Sequence, residues 1–380
     1  MKIAIDISQI VYQGSGVATY TRNLISSLLS VDKKNEYILF GVAFHQMNIL
    51  EQFHSEMKKI HNGVSKKFIF LPPSVINFVW NSLHILPVDI FLPDIDIFHS
   101  SDWIQPPTKA VKITTVHDVI PLKYPETSSQ YIVDTQKKRL GWVQKEVDCI
   151  ISDSYSTKED ITRILKVSDT IVHVIYPGVS NDFQPQSKQE IERVKQKYSL
   201  FDDYVLSVGI VEPRKNLKTL IAAFLEFERH PLIKAMRKPL ELVIVGNPGW
   251  GEKISSSKYV RTLGFVEQRD LPALFSGARV FVYPSLYEGF GLPILEAMAC
   301  GCPVIASNRG SLKELVKDHA LIIDPTDSVE ISQKLVQLIV DSDLRTNLIK
   351  DTSGYVARFN WNSHARKVIH LYEMIGKRQI

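Results

Sequence analysis

The sequence has few cysteines and no excess of charge of one sign. Its three cysteines, Cys149, Cys300 and Cys302, show neither the spacing of a zinc site nor a CxxC pair. We therefore expect three small buried side chains in a protein of a reducing compartment. The 45 Lys and Arg residues nearly balance the 41 Asp and Glu residues, which leaves a net charge of +4. This balance argues against a nucleic-acid partner.

A signal peptide and a membrane-spanning segment are also missing from the sequence. A strand pattern begins directly after Met1, and there is no run of about 18 apolar residues. A cytoplasmic protein is therefore expected. The 380 residues are too many for one ordinary core, and 44% hydrophobic with 23% charged residues is typical of a soluble globular protein. Two domains are predicted.

Strand-like apolar runs alternate with helical patterns along the chain, which indicates an α/β fold with parallel sheets. A first series of strands ends near Ile175 and a second begins at Tyr204, with a polar, turn-forming stretch between them. We predict two Rossmann-like domains, residues 1–178 and 179–358, that face each other across a cleft. Residues 359–380 are predicted to form a final helix.

The segment from Pro284 to Ala299 is the most informative motif, because it places Glu288 and Glu296 eight residues apart. A strand pattern precedes it, glycines interrupt that pattern, and Pro293 suits the first turn of the following helix. Glu288 is therefore predicted at the carboxyl edge of a sheet, where open α/β folds bind ligands. Two carboxylates beside a helix N-terminus suit a polyhydroxyl ligand that contains an anion, such as a nucleotide-sugar.

Glu296 also has a purely structural interpretation. An acidic side chain in the first turn of a helix stabilises the helix by roughly 0.3–1 kcal/mol through the helix dipole. The functional alternative is that its carboxylate accepts two hydrogen bonds from a vicinal diol such as that of ribose. Glu288 has no comparable structural role in the sequence, so it is the stronger functional candidate.

Arg214 and Lys215 follow the predicted strand that ends at Gly209 and precede a helix. The planar fork of arginine and the compact charge of lysine suit a diphosphate, and they would stabilise it as a leaving group. A solvated loop with two cations is the alternative. The glutamate pair in the same half of the chain favours the diphosphate.

The turn from Gly14 to Gly16 follows the first strand and opens the first helix. Glycines here let the backbone approach a phosphate at the helix N-terminus. A nicotinamide fingerprint would need a third glycine near Thr19 and an acid at the end of the second strand, and the sequence has neither. We expect a tight turn with loose phosphate contact, and no dehydrogenase.

His117 and Asp118 end another strand of the first half. His117 is predicted to face the cleft and to hydrogen-bond a sugar or help position an acceptor; a structural histidine beside an aspartate that caps a turn is the alternative. His99 is a weaker candidate of the same kind. Asp94 and Asp96 have the D-x-D spacing that holds a metal in some transferases, but they precede a strand. Because the cations described above already supply the charge, no metal site is predicted.

The segment from Phe68 to Phe98 is apolar and aromatic but is interrupted by four prolines. One interpretation is an irregular loop that packs on the first domain. The other is an acceptor-binding or membrane-touching face, since exposed apolar patches tend to mark interaction sites.

Together these motifs resemble the retaining GT-B glycosyltransferases of family 4, a group with many mannosyltransferases. The resemblance rests on the two glutamates with Gly-Phe-Gly-Leu-Pro between them, on Val208–Asn216, on His117 with Asp118 and on the first glycine-rich turn. It spans nearly the whole chain, and it implies a GT-B fold whose final helix crosses back to the first domain. That domain would bind the acceptor, and the second would bind the donor.

The resemblance implies a role for each matched position. The cations would bind the donor diphosphate, Glu288 the donor sugar, Glu296 the ribose, and the backbone near Val266 the base, while His117 would lie beside the sugar. The implied catalytic residues are His117, Arg214, Lys215 and Glu288. The implied donor-binding residues are Gly14, Gly16, Gly209, Phe265, Val266, Phe290, Gly291, Leu292 and Glu296.

The implied reaction is a retaining, metal-independent transfer of a hexose, without a cofactor, from a nucleotide diphosphate sugar to a glycan or lipid-linked glycan. GDP-mannose is the first expected donor, although UDP-glucose, UDP-N-acetylglucosamine and dTDP-rhamnose enzymes use the same motifs. A sugar-nucleotide epimerase and a non-catalytic sugar-nucleotide-binding subunit of a polysaccharide assembly complex are the alternatives. The first would need dedicated acid/base groups, and loss of Arg214, Lys215 or Glu288 would favour the second. Weak peripheral membrane contact is expected if the acceptor is lipid-linked.

Overall fold

The computed structural model describes residues 1–236, 239–250, 254 and 256–377. The chain forms two compact units: Met1–Gly178 with Phe359–Ile380, and Val179–Arg358. Residues 378–380 of the predicted final segment lie outside the described residues. Within the described part of the chain, no helix is long and apolar enough to cross a membrane. All three cysteines are buried and free, as predicted.

A seven-stranded parallel sheet forms the centre of the first unit. Its strands are β1 (Lys2–Asp6), β2 (Glu36–Ala43), β3 (Ser65–Phe70), β4 (Ile97–Ser100), β5 (Val111–Val116), β6 (Cys149–Ser152) and β7 (Val172–Val174). Their order across the sheet is β3-β2-β1-β4-β5-β6-β7. Side chains such as Ile3 and Ile113 are fully buried, as expected for a parallel sheet with helices on both faces.

The second unit contains a six-stranded parallel sheet. Its strands are β8 (Asp203–Val208), β9 (Leu240–Val245), β10 (Val260–Gly264), β11 (Val280–Tyr283), β12 (Val304–Ser307) and β13 (Leu321–Ile323). Their order is β10-β9-β8-β11-β12-β13. The two predicted series of strands are thus confirmed: the first ends at Val174 and the second begins at Asp203, each one residue from the predicted position.

Helices connect the strands and cover the sheets. Up to the unit boundary they are α1 (Gly16–Val31), α2 (Met47–Ile60), α3 (Pro73–Asn77), α4 (Ile120–Lys123), α5 (Gln130–Glu146) and α6 (Tyr155–Leu165). The second unit contains α7 (Lys188–Tyr198), α8 (Leu217–Arg229), α9 (Pro231–Lys234), α10 (Leu271–Gly277), α11 (Leu292–Ala299), α12 (Leu312–Val316), α13 (Ser328–Val340), α14 (Ser342–Ile349) and α15 (Thr352–Val356). The last helix, α16 (Trp361–Gly376), returns to the first unit. Short 3₁₀ helices include Ser8–Val11 and Pro213–Lys215.

Helix α16 belongs to the core of the first unit. Trp361 and Tyr372 join the same buried apolar cluster as residues of α1. His364 Nδ1 lies 2.9 Å from the carbonyl oxygen of Tyr176, which fixes the start of the helix. Gly178 permits the close approach, because a Cβ atom there would lie only 2.3 Å from the backbone nitrogen of Trp361.

The segment from Phe68 to Phe98 is more regular than the loop that its prolines predict. It contains α3, a π-helical turn over Phe78–Leu83 and a 3₁₀ helix over Val88–Ile90. Pro73 does not disrupt α3, because proline is tolerated in the first turn of a helix. Ile76, Trp80 and Val88 are buried in the first unit, which confirms the prediction that this segment packs on the first domain. The prediction that its backbone is an irregular loop was wrong. Its exposed apolar side chains include Phe78, Leu83, Ile85, Leu86 and Ile90.

Candidate active site

The strand order of the second sheet reverses between β8 and β11. In open α/β sheets, ligands bind at the carboxyl ends of the strands on either side of such a reversal. Arg214 and Lys215 follow β8, and Glu288 follows β11. The fold therefore brings together two motifs that are 73 residues apart in the chain.

Glu288 forms ion pairs with both cations. Its Oε1 atom lies 2.7 Å from Lys215 Nζ, and its Oε2 atom lies 2.6 Å from Arg214 Nη1. Lys215 Nζ also donates to the Tyr283 hydroxyl at 2.6 Å, and Arg214 forms a second ion pair with Glu212. Since Glu288 is only 7% exposed, the expectation that it has no structural role was wrong: it is the buried counter-ion of the two cations.

Burial and charge act in opposite directions on the pKa values of this cluster. Burial raises the pKa of Glu288, but the charges of Arg214 and Lys215 outweigh it and hold that pKa at about 2. Burial lowers the pKa of Lys215, and the charge of Glu288 opposes that shift. Glu288 is therefore ionised at neutral pH.

Glycine and serine residues set the positions of the two loops. A Cβ atom at Gly209 would lie 3.1 Å from Lys215 Cε, so glycine leaves room for the lysine side chain. Ser311 Oγ lies 3.0 Å from the carbonyl oxygen of Glu288 and 2.6 Å from that of Phe290, which holds this loop to the start of α12. Sequence reasoning missed Ser311, which has no recognisable spacing from the motif. It also missed Tyr283. The signal for this residue was its position as the last residue of the predicted strand that precedes the glutamate motif.

Glu296 lies in the second turn of α11, one turn beyond the N-cap Gly291. Gly291 has φ 108°, a left-handed value that favours glycine. Burial raises the pKa of Glu296 to about 8, whereas a helix dipole would stabilise the ionised form of an acid in the first turn. Glu296 is thus not in the first turn of α11, where the sequence places it for an interaction with the helix dipole.

The segment after β10 lies at the same edge of the sheet, two strands away from β8. Gly264 has φ 68°. Val266 is buried, but the side chain of Phe265 is 59% exposed. Because the Phe265 ring does not pack in the core, its face is available to stack on a ligand at this edge of the sheet.

His117 follows β5 in the first unit, and Asp153 follows the adjacent strand β6. His117 Nδ1 and Asp153 Oδ2 are 2.6 Å apart. Burial lowers the pKa of His117, but the charges of Asp153, Asp102 and Asp118 outweigh it and raise that pKa to about 9. His117 is therefore a cation at neutral pH. Sequence reasoning missed Asp153, although both residues come directly after strands that the sequence predicts.

The two weaker candidates of the first half have structural roles. His99 is buried, with Nδ1 2.7 Å from the Tyr372 hydroxyl and Nε2 2.9 Å from Thr115 Oγ1. Asp96 accepts a hydrogen bond of 2.7 Å from the backbone nitrogen of Lys2, at the amino edge of the sheet. Among the described residues, no group of three or more His, Cys, Asp or Glu side chains is placed to hold a metal ion.

The glycine-rich turn connects β1 to α1. Gly14 has φ 81°, which favours glycine, and Ser15 Oγ caps α1 by accepting from the backbone nitrogen of Ala18 at 3.2 Å. A Cβ atom at Gly16 would meet nothing within 4 Å. Packing within the described chain therefore does not require glycine at position 16, and its backbone is open to approach.

Comparison with known proteins identifies the family. The model of glycosyl transferases group 1 matches residues 188–354, and that of Glycosyltransferase Family 4 matches residues 14–183. The O-antigen chain mannosyltransferase B of Escherichia coli is 31% identical over 99% of this chain and 100% of its own length. The D-inositol 3-phosphate glycosyltransferase of Corynebacterium jeikeium is 26% identical over 73% of this chain and 72% of its own.

Solved structures confirm the α/β fold. HepE of Anabaena, in complex with UDP and glucose, is 16% identical with a TM-score of 0.71 over 98% of this chain and 100% of its own. Sucrose-phosphate synthase of Thermosynechococcus elongatus is 20% identical with a TM-score of 0.73 over 99% of both chains. With the full-length relationship to the mannosyltransferase and the two family models, the chain belongs to the family 4 glycosyltransferases of GT-B fold and is a glycosyltransferase.

Proposed function

We propose that the protein transfers a mannosyl group from GDP-mannose to a glycan or lipid-linked glycan, with retention of configuration and without a metal ion or cofactor. The observation that supports this best is the cluster of Arg214, Lys215 and Glu288 between β8 and β11. The relationship to mannosyltransferases favours mannose as the transferred sugar.

Arg214 and Lys215 would bind the donor diphosphate. The bond between C1 of mannose and the β-phosphate oxygen breaks, and its electron pair stays with the diphosphate. The two cations stabilise the charge that develops there, in a buried site where such stabilisation is strong. C1 then bonds to the acceptor hydroxyl oxygen, whose proton passes to the departing phosphate. Departure and attack on the same face of the sugar give retention.

Glu288 would orient the cations and accept hydrogen bonds from the donor sugar. Its ion pairs with Arg214 and Lys215 make it a poor nucleophile, which agrees with a mechanism that lacks a covalent intermediate. The backbone N–H groups of Phe290, Gly291 and Leu292, at the start of α11, would donate to sugar hydroxyls.

Glu296 would accept hydrogen bonds from the ribose diol, and Phe265 with the backbone at Val266 would contact the base. Because burial holds the pKa of Glu296 at about 8, nucleotide binding at neutral pH would require it to lose a proton. In the first unit, Asp153 occupies His117 Nδ1. His117 Nε2 would therefore be the atom that donates to the donor sugar, and the backbone at Gly14 and Gly16 would approach the diphosphate.

A weak contact with the inner face of a membrane is a further part of the proposal. Leu83, Ile85 and Leu86 form an exposed apolar turn, and the Lys138 ammonium lies beside it, 3.0 Å from Ser82 Oγ. Exposed apolar side chains next to a cation suit an anionic lipid surface.

A panel of GDP-, UDP- and dTDP-sugars, measured by nucleotide release and thermal shift, tests the function. GDP-mannose should give the largest response, the anomeric signal of the product should show retention by NMR, and EDTA should leave the rate unchanged. Turnover with a UDP-sugar alone would contradict the donor, and loss of activity that Mg²⁺ restores would contradict metal independence. Conversion of the free sugar-nucleotide to an isomer would favour an epimerase.

A further inference from the structure

Tyr20 is a buried residue of α1 that packs against His117. The centroids of the two rings are 4.5 Å apart, and the rings meet edge to face at an interplanar angle of 77°. This is a favoured geometry for aromatic pairs. The Asp153 carboxylate holds His117 at Nδ1, but a single hydrogen bond leaves the tilt of the imidazole ring free. The Tyr20 ring limits that tilt, so the two contacts together define where Nε2 lies.

The hydroxyl of Tyr20 is held by α16. It lies 3.1 Å from His364 Nε2, and His364 Nδ1 lies 2.9 Å from the carbonyl oxygen of Tyr176. Because a carbonyl oxygen can only accept, Nδ1 carries the proton of the imidazole. Burial lowers the pKa of His364 to about 4, so the ring is neutral at neutral pH and Nε2 is an acceptor. The Tyr20 hydroxyl therefore donates to His364.

His364 also connects the two places where the chain passes between the units. Tyr176 lies just before Gly178, where the first unit ends, and His364 lies shortly after Phe359, where this unit resumes. The ring of Trp361, the first residue of α16, lies 5.5 Å from the Tyr20 ring. The start of α16 thus holds Tyr20 at both its ring and its hydroxyl.

A second contact of α16 reaches the strand that precedes His117. The Tyr372 hydroxyl lies 2.7 Å from His99 Nδ1, and His99 Nε2 lies 2.9 Å from Thr115 Oγ1 on β5. All three side chains are buried, where loss of a hydrogen-bond partner is costly. Two separate buried contacts of α16 therefore act on the end of β5 and on the residue that follows it.

We propose that Tyr20 is a positioning residue for His117 and that His364 anchors it. The Tyr20 ring holds the imidazole with Nε2 in the position that sugar transfer requires, and the bond to His364 keeps the Tyr20 ring in place. The proposal rests on the role of His117 in the proposed function. Through Tyr20, helix α16 acts on the reaction without touching a substrate, and loss of this contact lowers the rate because catalysis depends on orientation.

The test compares Tyr20→Leu, which removes the ring, with Tyr20→Phe, which keeps the ring but loses its anchor. We expect Tyr20→Leu to lower kcat with GDP-mannose by at least about tenfold and Tyr20→Phe to lower it by about threefold. The KM for GDP-mannose should stay within about twofold of the wild type in both variants. A wild-type kcat in Tyr20→Phe would overturn the anchoring by His364.

Tyr37→Phe is the matched control. Tyr37 belongs to the same buried cluster as Tyr20, and its hydroxyl donates to Asp32 at 2.7 Å. It lies near the amino end of β2, which is separated from β5 by β1 and β4. This substitution therefore removes a comparable buried hydrogen bond far from His117, and it should leave kcat unchanged. An equal loss of kcat in Tyr37→Phe and Tyr20→Phe would overturn the proposal.

A double-mutant cycle separates positioning from a general loss of structure. If Tyr20 acts through His117, Tyr20→Leu should lower kcat no further in a chain that already contains His117→Asn. Losses that multiply in the double variant would overturn the proposal, because they would show that Tyr20 acts independently of His117. A kcat of Tyr20→Leu within about twofold of the wild type would overturn it as well.

NMR of the full chain with ¹⁵N-labelled histidine gives a readout that does not depend on turnover. The imidazole signals of His117 are assigned by their absence in His117→Asn. They should shift and broaden in Tyr20→Leu, because the ring loses the contact that limits its tilt, and they should match the wild type in Tyr37→Phe. Unchanged His117 signals in Tyr20→Leu would overturn the proposal. A wild type that consumes no nucleotide-sugar contradicts the proposed function and leaves this test of the Tyr20 contact intact.

Discussion

The carboxyl edges of the two sheets differ in the number of charged side chains at the point where the strand order reverses. In the second unit, two partly buried cations converge on the buried Glu288 between β8 and β11. In the first unit, the corresponding reversal between β1 and β4 opens on a cavity with no charged residue in its described lining, and one histidine cation lies farther along the edge, beside Asp153. The same strand geometry thus presents a pair of cations at the reversal of one sheet and an uncharged lining at the reversal of the other.

Removing a cation of the second unit should have the largest effect. We expect Lys215→Ala to lower kcat with GDP-mannose by about 10²–10³-fold, because the charge that develops on the leaving diphosphate loses a buried partner. Arg214→Ala should lower it by at least about tenfold. Arg279→Ala, which breaks an ion pair with Asp203 at the amino edge of the same sheet, is the control and should keep its kcat. Near-normal turnover in both Arg214→Ala and Lys215→Ala would remove the leaving-group role.

Neutralising Glu288 should destabilise the fold as well as reduce activity. In Glu288→Gln, two partly buried cations lose their shared, buried counter-ion. Breaking a buried pair by removing one partner costs about 3 kcal/mol of unfolding free energy. Chemical denaturation at pH 7 measures the change. Asp324→Asn removes a partner from the half-exposed pair with Arg309 and should change stability much less. Equal effects of the two substitutions would show that the Glu288 cluster is not buried as described.

His117 should make the stability of the first unit depend on pH. Its pKa of about 9 in the folded chain lies above its ordinary value of 6.5, so the protonated form stabilises the fold. That contribution is complete below pH 6.5 and is lost as the pH rises through 9. The stability difference between the wild type and His117→Asn should therefore shrink by about 1–3 kcal/mol across this window. A difference that stays constant from pH 6 to 9.5 would contradict the His117–Asp153 ion pair.

Glu296 should give donor binding a smaller pH dependence in the opposite direction. Its pKa of about 8 lies above the ordinary 4.5, so ionisation costs folding stability as the pH rises from 4.5 to 8, whereas only the carboxylate accepts both hydrogen bonds of a diol. GDP affinity should rise by up to about tenfold between pH 6.5 and 8, and Glu296→Gln should abolish this rise. Calorimetric titrations at three pH values measure it. The same pH profile in both proteins would remove Glu296 from the ribose site.

The two edges also differ in how much the sequence predicts. A clear strand pattern comes directly before each of the two short motifs that contain Arg214, Lys215 and Glu288. The alternation of strands and helices therefore predicted that these residues lie at the same edge of one sheet. Their mutual ion pairs did not, because sequence spacing does not specify which side chains of two separate loops meet. In the first unit, Tyr20 and His364 meet beside His117, although they come from opposite ends of the chain with no motif between them. Only the packing of α16 on α1 brings them together.

The most direct test of the donor site is the preference for a diphosphate over a monophosphate, measured by calorimetry with GDP and GMP. We predict that the wild type binds GDP at least about tenfold more tightly than GMP, because the second phosphate contacts Arg214 and Lys215. The preference should disappear in Lys215→Ala and persist in Arg279→Ala. Equal affinities for GDP and GMP in the wild type, or an unchanged preference in Lys215→Ala, would contradict the assignment of these cations to the diphosphate.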